Sequence, residues 1–180
     1  MITLQTDRLH IRHYIPGDLG ALHSLLSDEK AMYYLDDLAT TTVEESAENL
    51  AYIIRNADGR YFCIRHAETN VFFGSVGYTY TTQTPLGSVA HLGYFLLPLH
   101  HGNGYATEAA RRVIEYAFTD DSCIRVTTAC YAENAASRRV MEKAGFRKEG
   151  EHIQAQFHDG VMKDRLSYAI NKSEWPPYKA

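Results

Sequence analysis

Residues 99 to 109 read L-H-H-G-N-G-Y-A-T-E-A, and they constrain the chain more than any other stretch. Upstream, an apolar run from His91 to Leu97 stops at Pro98. Downstream, Ala106, Ala109, Ala110, Val113, Ile114, Ala117 and Phe118 recur at helical spacing. The segment is predicted to be a strand, a glycine turn and a helix. Gly102 and Gly104 let the backbone take positive φ and let a ligand approach without meeting a Cβ. The first N–H groups of such a helix have no partner within it and lie at the positive end of its dipole. That end suits an anion, phosphate best of all. A plain turn between strand and helix fits the same residues, so the rest of the chain must decide.

The chain has 180 residues, which suits one domain spanning residues 1 to 180. With 45% apolar and 22% charged residues it has the composition of a globular protein that needs neither disulfides nor metal to build a core. A formal net charge of −4 argues against nucleic acid as the main partner. Cys63, Cys123 and Cys130 fit no zinc or redox spacing and read as buried thiols in a reducing cytosol. Met1 to Leu9 has no apolar core of a signal peptide, and no apolar run approaches the length of a membrane span. A cytoplasmic protein without a membrane partner is expected.

In chain order, a first strand is expected over Leu4 to Tyr14, followed by a break at Pro16-Gly17 and a helix capped by Asp18. A short helix is expected near Lys30 to Leu35, then a loop at Asp36-Asp37. Thr42 and Glu45 form a capping box for a helix that runs to about Asn56 and ends at Asp58-Gly59. Three strands follow as a meander: Tyr61 to His66, Val71 to Tyr80 and Ser88 to Leu97. Gly74 and Gly77 mark a bulge or a close backbone approach in the second. After the central helix come a strand at Ile124 to Cys130 and a helix from Asn134 with Ala136, Val140, Met141 and Ala144 on one face, closed by Gly145. A final hairpin turns at Asp159-Gly160, and the tail at Trp175-Pro176-Pro177 is expected to be loose.

This order of elements, with G-N-G-Y-A at the turn, resembles the GNAT superfamily of N-acetyltransferases, in particular the branch that acetylates ribosomal-protein N-termini. The resemblance covers almost the whole chain. It rests on T-D-R-L-H-I-R from Thr6, L-G-Y-F-L from Leu92, G-N-G-Y-A-T-E-A from Gly102 and N-A-A-S-R-R-V-M-E-K-A-G-F from Asn134, with Asp164, Tyr168, Glu174 and Trp175 fitting the closing strand and tail. It implies an α/β fold: a single mixed, mostly antiparallel sheet of about seven strands flanked by helices and splayed between strands four and five. Two departures are present. Leu99 stands three residues before the first loop glycine, where the wider superfamily often has Gln or Arg, and His91 stands where the branch often has Glu.

The resemblance implies acetyl transfer from acetyl-CoA, as acetyl donor, to an amine in a ternary complex. Backbone groups of Phe95, Leu96 and Leu97 would pair with pantetheine, and an N–H there would polarise the thioester. The N–H groups of Gly102, Asn103, Gly104, Tyr105 and Ala106 would hold the pyrophosphate. Asn134 is a helix cap on residue type alone; the resemblance makes it a pantetheine ligand. Ser137, one turn on, is assigned as proton donor to the leaving thiolate, against the plainer reading of a small residue that leaves room for CoA. His91 is assigned as base, against a merely packed strand histidine. Glu108, Tyr94 and Tyr105 read as structural or packing residues. His100-His101 is not a metal pair, because adjacent residues rarely face one ion, and no metal site is expected. Arg111-Arg112 and Arg138-Arg139 read as solvated helix faces, against contact with the adenosine phosphates. The acceptor is a protein N-terminus or a small amine (a polyamine, amino sugar or amino acid). A non-catalytic CoA-binding module is the reading from another class. The acceptor pocket is placed at residues 16 to 58 and the hairpin near 157 to 162; Asp36, Asp37 and Glu44 make that region acidic, which suits a cationic amine and equally a solvated loop. The protein is expected to be a monomer or homodimer.

Overall fold

The computed structural model describes residues 1–35, 38–55 and 59–176. One eight-stranded sheet runs through it: β1 (Thr3–Gln5), β2 (Leu9–His13), β3 (Gly59–His66), β4 (Phe72–Thr84), β5 (Gly87–Leu96), β6 (Cys123–Tyr131), β7 (Arg147–His158) and β8 (Val161–Asn171). Their order is β1-β2-β3-β4-β5-β6-β8-β7. Helices α1 (Leu19–Leu26), α2 (Glu29–Met32), α3 (Val43–Arg55), α4 (Tyr105–Thr119) and α5 (Ala135–Ala144) cover it. Every neighbouring pair of strands is antiparallel except β5 and β6.

The expected seven strands are eight because the first splits. Thr6 N–H bonds Leu9 O at 3.0 Å, and Leu4 then pairs with Ile11 across a small hairpin. The alternation of Leu9 and Ile11, both fully buried, survives the split. The Asp18 cap is also corrected. Its carboxylate makes no cap bond to α1. Instead it is 2% exposed and accepts both Arg12 amines at 2.7 and 2.8 Å, Arg65 Nη2 at 2.8 Å and Ile15 N–H at 2.9 Å. The Arg12 and Arg65 side chains carry charge that a buried carboxylate needs more than a helix end does.

The Thr42–Glu45 capping box forms in both directions, with Glu45 N–H to Thr42 Oγ1 at 3.2 Å and Thr42 N–H to Glu45 Oε2 at 3.1 Å. The short helix is capped by Asp28 and runs from Glu29 to Met32, earlier than expected. The expected helix end at Asn56 and Asp58, and the Asp36-Asp37 loop, lie outside the described residues.

The sheet separates two cores. On one face α4 and α5 bury Ala109, Ala110, Val113, Ile114, Ala117, Phe118, Met141 and Ala144 against Val76, Ala90, Leu92 and Val126. Alanines at two successive α4 positions let its axis lie close to the strands. On the other face Leu22, Leu25, Leu26, Met32 and Leu50 pack on Cys63 and Phe72, joined by Phe95 and Leu97. Each fully buried aliphatic side chain contributes about 1.5–3 kcal/mol. All three cysteines are buried free thiols. Ala136 does not share the buried face of α5; it is exposed, while Val140, Met141 and Ala144 turn inward. The tail is not loose at Trp175, whose ring lies 5.9 Å from that of Phe118.

β4 and β5 approach so closely at Gly74 that a Cβ there would stand 2.3 Å from Phe95 O. Only glycine permits that contact, which answers the expected close approach. It fixes the edge from which β5 leaves the sheet.

Candidate active site

The sheet opens at its one parallel pair. β5 and β6 pair from Ser88 with Cys123 to His91 with Thr127, and there the register stops. Beyond that rung, β5 stays zipped to β4 as far as Leu96, and β6 to β8 as far as Tyr131. Each arm is thus held by its outer neighbour, and a cleft opens between them. Side-chain hydroxyls close its root: Thr127 Oγ1 donates to Ala90 O at 3.1 Å and Thr128 Oγ1 to Leu92 O at 2.9 Å. These carbonyls face the cleft, and strand alternation turns the backbone of Tyr94 and Leu96 the same way. Leu97 N–H is instead donated to Phe73 O on β4 at 2.9 Å, and Leu96 O accepts His101 Nε2 at 2.9 Å. Within the predicted Phe95–Leu97 stretch the groups turned to the cleft are those of Leu96.

At the mouth stands the glycine loop. Gly102 and Gly104 have φ of 79° and 80°, and nothing lies within 4 Å of a Cβ built at Gly102. The first bond of α4 is Glu108 N–H to Gly104 O at 3.0 Å. No described residue accepts the N–H groups of Tyr105, Ala106 or Thr107. The predicted anion end is therefore formed and open. Arg8 braces it from below: Nη1 donates to Asn103 O at 3.1 Å, Nε to Glu108 Oε2 at 2.7 Å, and the guanidinium lies 4.7 Å from the Tyr105 ring. Glu108, which also accepts Thr6 Oγ1, is structural as expected. A groove of about 470 Å³ beside the loop is lined by Arg8, Gly104, Thr107, Arg111 and Lys143 among others.

Asn134 caps α5, its Oδ1 accepting Ser137 N–H at 2.9 Å; its Nδ2 donates to no described residue. Ser137 faces β5 across the cleft. Tyr94 OH lies 2.9 Å from Ser137 Oγ and 3.1 Å from Ser137 O. Tyr94 is thus more than a packing residue, which its type alone did not reveal. Burial, offset only partly by its bond to Ser137, holds the phenol protonated far above the ordinary tyrosine range. Cys130 is buried on β6, and burial raises its thiol above the ordinary range, which makes it a poor nucleophile.

His91 projects from β5 to the other side of the sheet. Its Nδ1 lies 3.1 Å from Thr127 Oγ1. Because that hydroxyl already donates to Ala90 O, it accepts from the ring, so Nδ1 carries the proton and Nε2 the lone pair. Burial, and then the Arg165 charge, lower the His91 pKa from its ordinary 6.5. The ring is neutral at pH 7. On this face Tyr33 and Tyr34, at the end of α2, meet Tyr131 and His158, with ring centroids 4.9 Å apart for Tyr33–His158 and 5.4 Å for Tyr34–Tyr131. Tyr33 and Tyr34 thus meet the final hairpin at His158, two of the segments expected to border the acceptor. Glu44 is exposed in the first turn of α3.

His100 stacks on Phe73 at 4.0 Å and His101 is committed to Leu96. Among the described residues no His, Cys, Asp and Glu cluster could hold a metal, and no helix is long and apolar enough to cross a membrane. Arg112 reaches Gln5 O and Arg138 reaches Ala132 O, contacts within the fold and not with the cleft.

A half-open sheet with a helix N-terminus and two glycines at the mouth of its cleft defines a protein that binds an extended, phosphate-bearing substrate along a strand edge. The chain belongs to the GNAT acetyltransferases: the family model described as "Acetyltransferase (GNAT) domain" matches residues 8–147. It is 29% identical to the uncharacterised N-acetyltransferase YnaD of Bacillus subtilis over 96% of this chain and 98% of that one. Spermidine N-acetyltransferase from Vibrio cholerae, solved in complex with CoA and spermine, superposes with a TM-score of 0.83 at 23% identity, covering 94% and 98% of the two chains. RimL, a ribosomal L7/L12 α-N-protein acetyltransferase solved with CoA, superposes at 0.84 and 21% identity, again covering 94% and 98%. The expected fold and family hold, and the chain is an acetyl-CoA-dependent N-acetyltransferase.

Proposed function

We propose that this protein transfers the acetyl group of acetyl-CoA to the primary amine of a protein N-terminus by direct attack within a ternary complex. One observation carries the reading. Ser137 presents a hydroxyl beside Tyr94 on one face of the opened sheet, and at the root of the opening His91 carries a neutral imidazole with its Nε2 lone pair on the other face. A thioester between them can lose its thiolate toward the first while an amine enters past the second.

The chain's own groups fit the donor. The open N–H groups of Tyr105 and Ala106, with those of Gly102 to Gly104, receive the pyrophosphate, and Arg111 and Lys143 in the groove beside them, which Asp7 and Glu108 also line, suit the phosphates of the nucleotide end. The inward N–H of Leu96 and the free Nδ2 of Asn134 serve the pantetheine amides. A cleft-facing N–H of β5 polarises the thioester carbonyl. The neutral amine attacks, and His91 Nε2 takes the proton that its nitrogen must lose as the N–C bond forms. Ser137 Oγ–H serves the sulfur as the C–S bond breaks. Buried Cys130, with its raised pKa, gives no support to an acyl-cysteine route.

Spermine in the Vibrio cholerae enzyme supports a second acceptor, a small polyamine. Calorimetric titration with acetyl-CoA, with ATP and NAD as controls, tests the donor. A panel of N-terminal peptides and polyamines then tests the acceptor. Selective acetyl-CoA binding with peptide turnover is expected. Polyamine turnover alone would replace the first acceptor by the second, and no acetyl-CoA binding would sink the donor assignment.

A further inference from the structure

We propose that Tyr94 is a positioning residue that aims the Ser137 hydroxyl at the leaving sulfur and holds the serine oxygen once its proton has gone. This deepens the proposed reaction and rests on it.

The argument is a proton count. The Tyr94 phenol has one hydrogen and two acceptors in reach, Ser137 Oγ at 2.9 Å and Ser137 O at 3.1 Å. Ser137 also has one hydroxyl hydrogen. If the phenol donates to the carbonyl, the serine proton is free to point back at the phenol oxygen, away from the cleft. If the phenol donates to Oγ, the serine proton has no acceptor on Tyr94 and is left for the Cys130 sulfur beside it or for a group in the cleft. A developing thiolate selects the second arrangement, because only there does a donor face it. The backbone of Ser137 is fixed independently by Asn134, so its χ1 and its hydroxyl rotor are what the phenol sets.

In the reaction the amine nitrogen forms a bond to the acetyl carbon, and the C–S bond breaks with its electron pair on sulfur. The amine proton goes to His91 Nε2, and the Ser137 proton goes to sulfur. The Tyr94 O–H then donates to the charge left on Oγ. Solvent restores both groups when CoA leaves. Whatever proton the phenol shares with that oxygen reaches sulfur only through Ser137, which makes Tyr94 a positioning residue and not a second acid.

A serine placed only by its helix would be indifferent to the phenol. The test is a double-mutant cycle of Tyr94→Phe and Ser137→Ala with two readouts. The first is steady-state turnover. Tyr94→Phe is expected to lower kcat about tenfold while KM for acetyl-CoA stays within about twofold, and to have no effect in the Ser137→Ala background. The second needs no acceptor: ultraviolet titration of the CoA thiolate bound to the protein. Wild type is expected to bind CoA with its thiol pKa below that of free CoA. Each single variant should return it toward the free value, and the double variant no further. Multiplicative effects on kcat, or a thiolate titration unmoved by Tyr94→Phe, would overturn the role. Absence of turnover with a depressed thiolate pKa would sink the acceptor reading and leave Tyr94 standing; absence of CoA binding would sink both. Should Tyr94→Phe lower the melting temperature, Ser137→Thr supplies the second arm. It keeps a hydroxyl at the site and must keep a lowered thiolate pKa while Tyr94 is intact.

Discussion

His91 Nδ1 and Thr127 Oγ1 meet at 3.1 Å on the last rung where β5 and β6 still pair. The bond that ends the parallel ladder is therefore the one that sets the histidine tautomer. Thr127 Oγ1 donates its hydrogen bond to Ala90 O, and so ties the strand root and orients the ring together.

The first prediction concerns pH. The His91 pKa lies below 6.5, for burial first and the Arg165 charge second. Nε2 is then unprotonated throughout the neutral range. The acid limb of kcat/KM is expected below pH 6.5. His91→Gln should lower kcat/KM by about 10²-fold and abolish that limb. The linkage has the same direction: a histidine with a depressed native pKa favours folding above its unfolded pKa, and the contribution is lost as pH falls below about 6.5. A limb that persists unchanged in His91→Gln would assign it to another group.

Asn134 gives a two-part expectation. It caps α5 through Ser137 N–H, and loss of a cap costs about 1 kcal/mol. Asn134→Ala should therefore lower the melting temperature slightly and also weaken acetyl-CoA binding in calorimetry. Asn134→Ser keeps a capping oxygen and loses the amide, so it separates the two roles. Full stability with weak binding in the serine variant is the expected result; full binding would leave Asn134 a cap alone.

Asp18 carries a stability prediction. Burial would raise its pKa, but the hydrogen bonds from Arg12, Ile15 N–H and Arg65 outweigh it and leave the pKa lowered. Such a carboxylate stabilises the fold at pH values above its unfolded pKa of about 3.9, and the contribution is lost as pH falls through the lower native value. Asp18→Ala leaves two arginines facing an apolar surround and is expected to cost about 3–5 kcal/mol in denaturant unfolding. It should also flatten the stability profile below pH 4 relative to wild type. A cost under about 1 kcal/mol would mean the arginines find other partners.

Local features were legible in the sequence because their physics is local. The glycine loop, the Thr42–Glu45 box and the Asp159-Gly160 turn each involve residues within a few positions, and all three stand as read. What the sequence concealed depends on long loops closing. Tyr94 meets Ser137 across 43 positions, and no pattern in L-G-Y-F-L shows that its hydroxyl has a partner. Asp18 looked like a cap because Arg65, its other claimant, lies 47 positions away. The cleft itself followed from resemblance; its physical cause is that β5 and β6 each have a better partner on the outer side beyond His91 and Thr127.

Gly74 links that geometry to the donor edge. A methyl group there would lie 2.3 Å from Phe95 O and 2.6 Å from Leu96 Cα, both rigid backbone on β5. Gly74→Ala cannot be absorbed by a side-chain rotation, so β5 must shift toward the cleft it borders. The overpacking is expected to cost about 1–3 kcal/mol. A narrowed cleft should also raise the acetyl-CoA dissociation constant by about tenfold, equivalent to roughly 1.4 kcal/mol. Gly93, on β5 itself, is the control, since nothing lies within 4 Å of a Cβ built there. Gly93→Ala should leave melting temperature and acetyl-CoA affinity close to wild type. If the two variants lose affinity equally, the effect comes from strand propensity; if only Gly74→Ala does, the β4–β5 contact holds the donor edge in register.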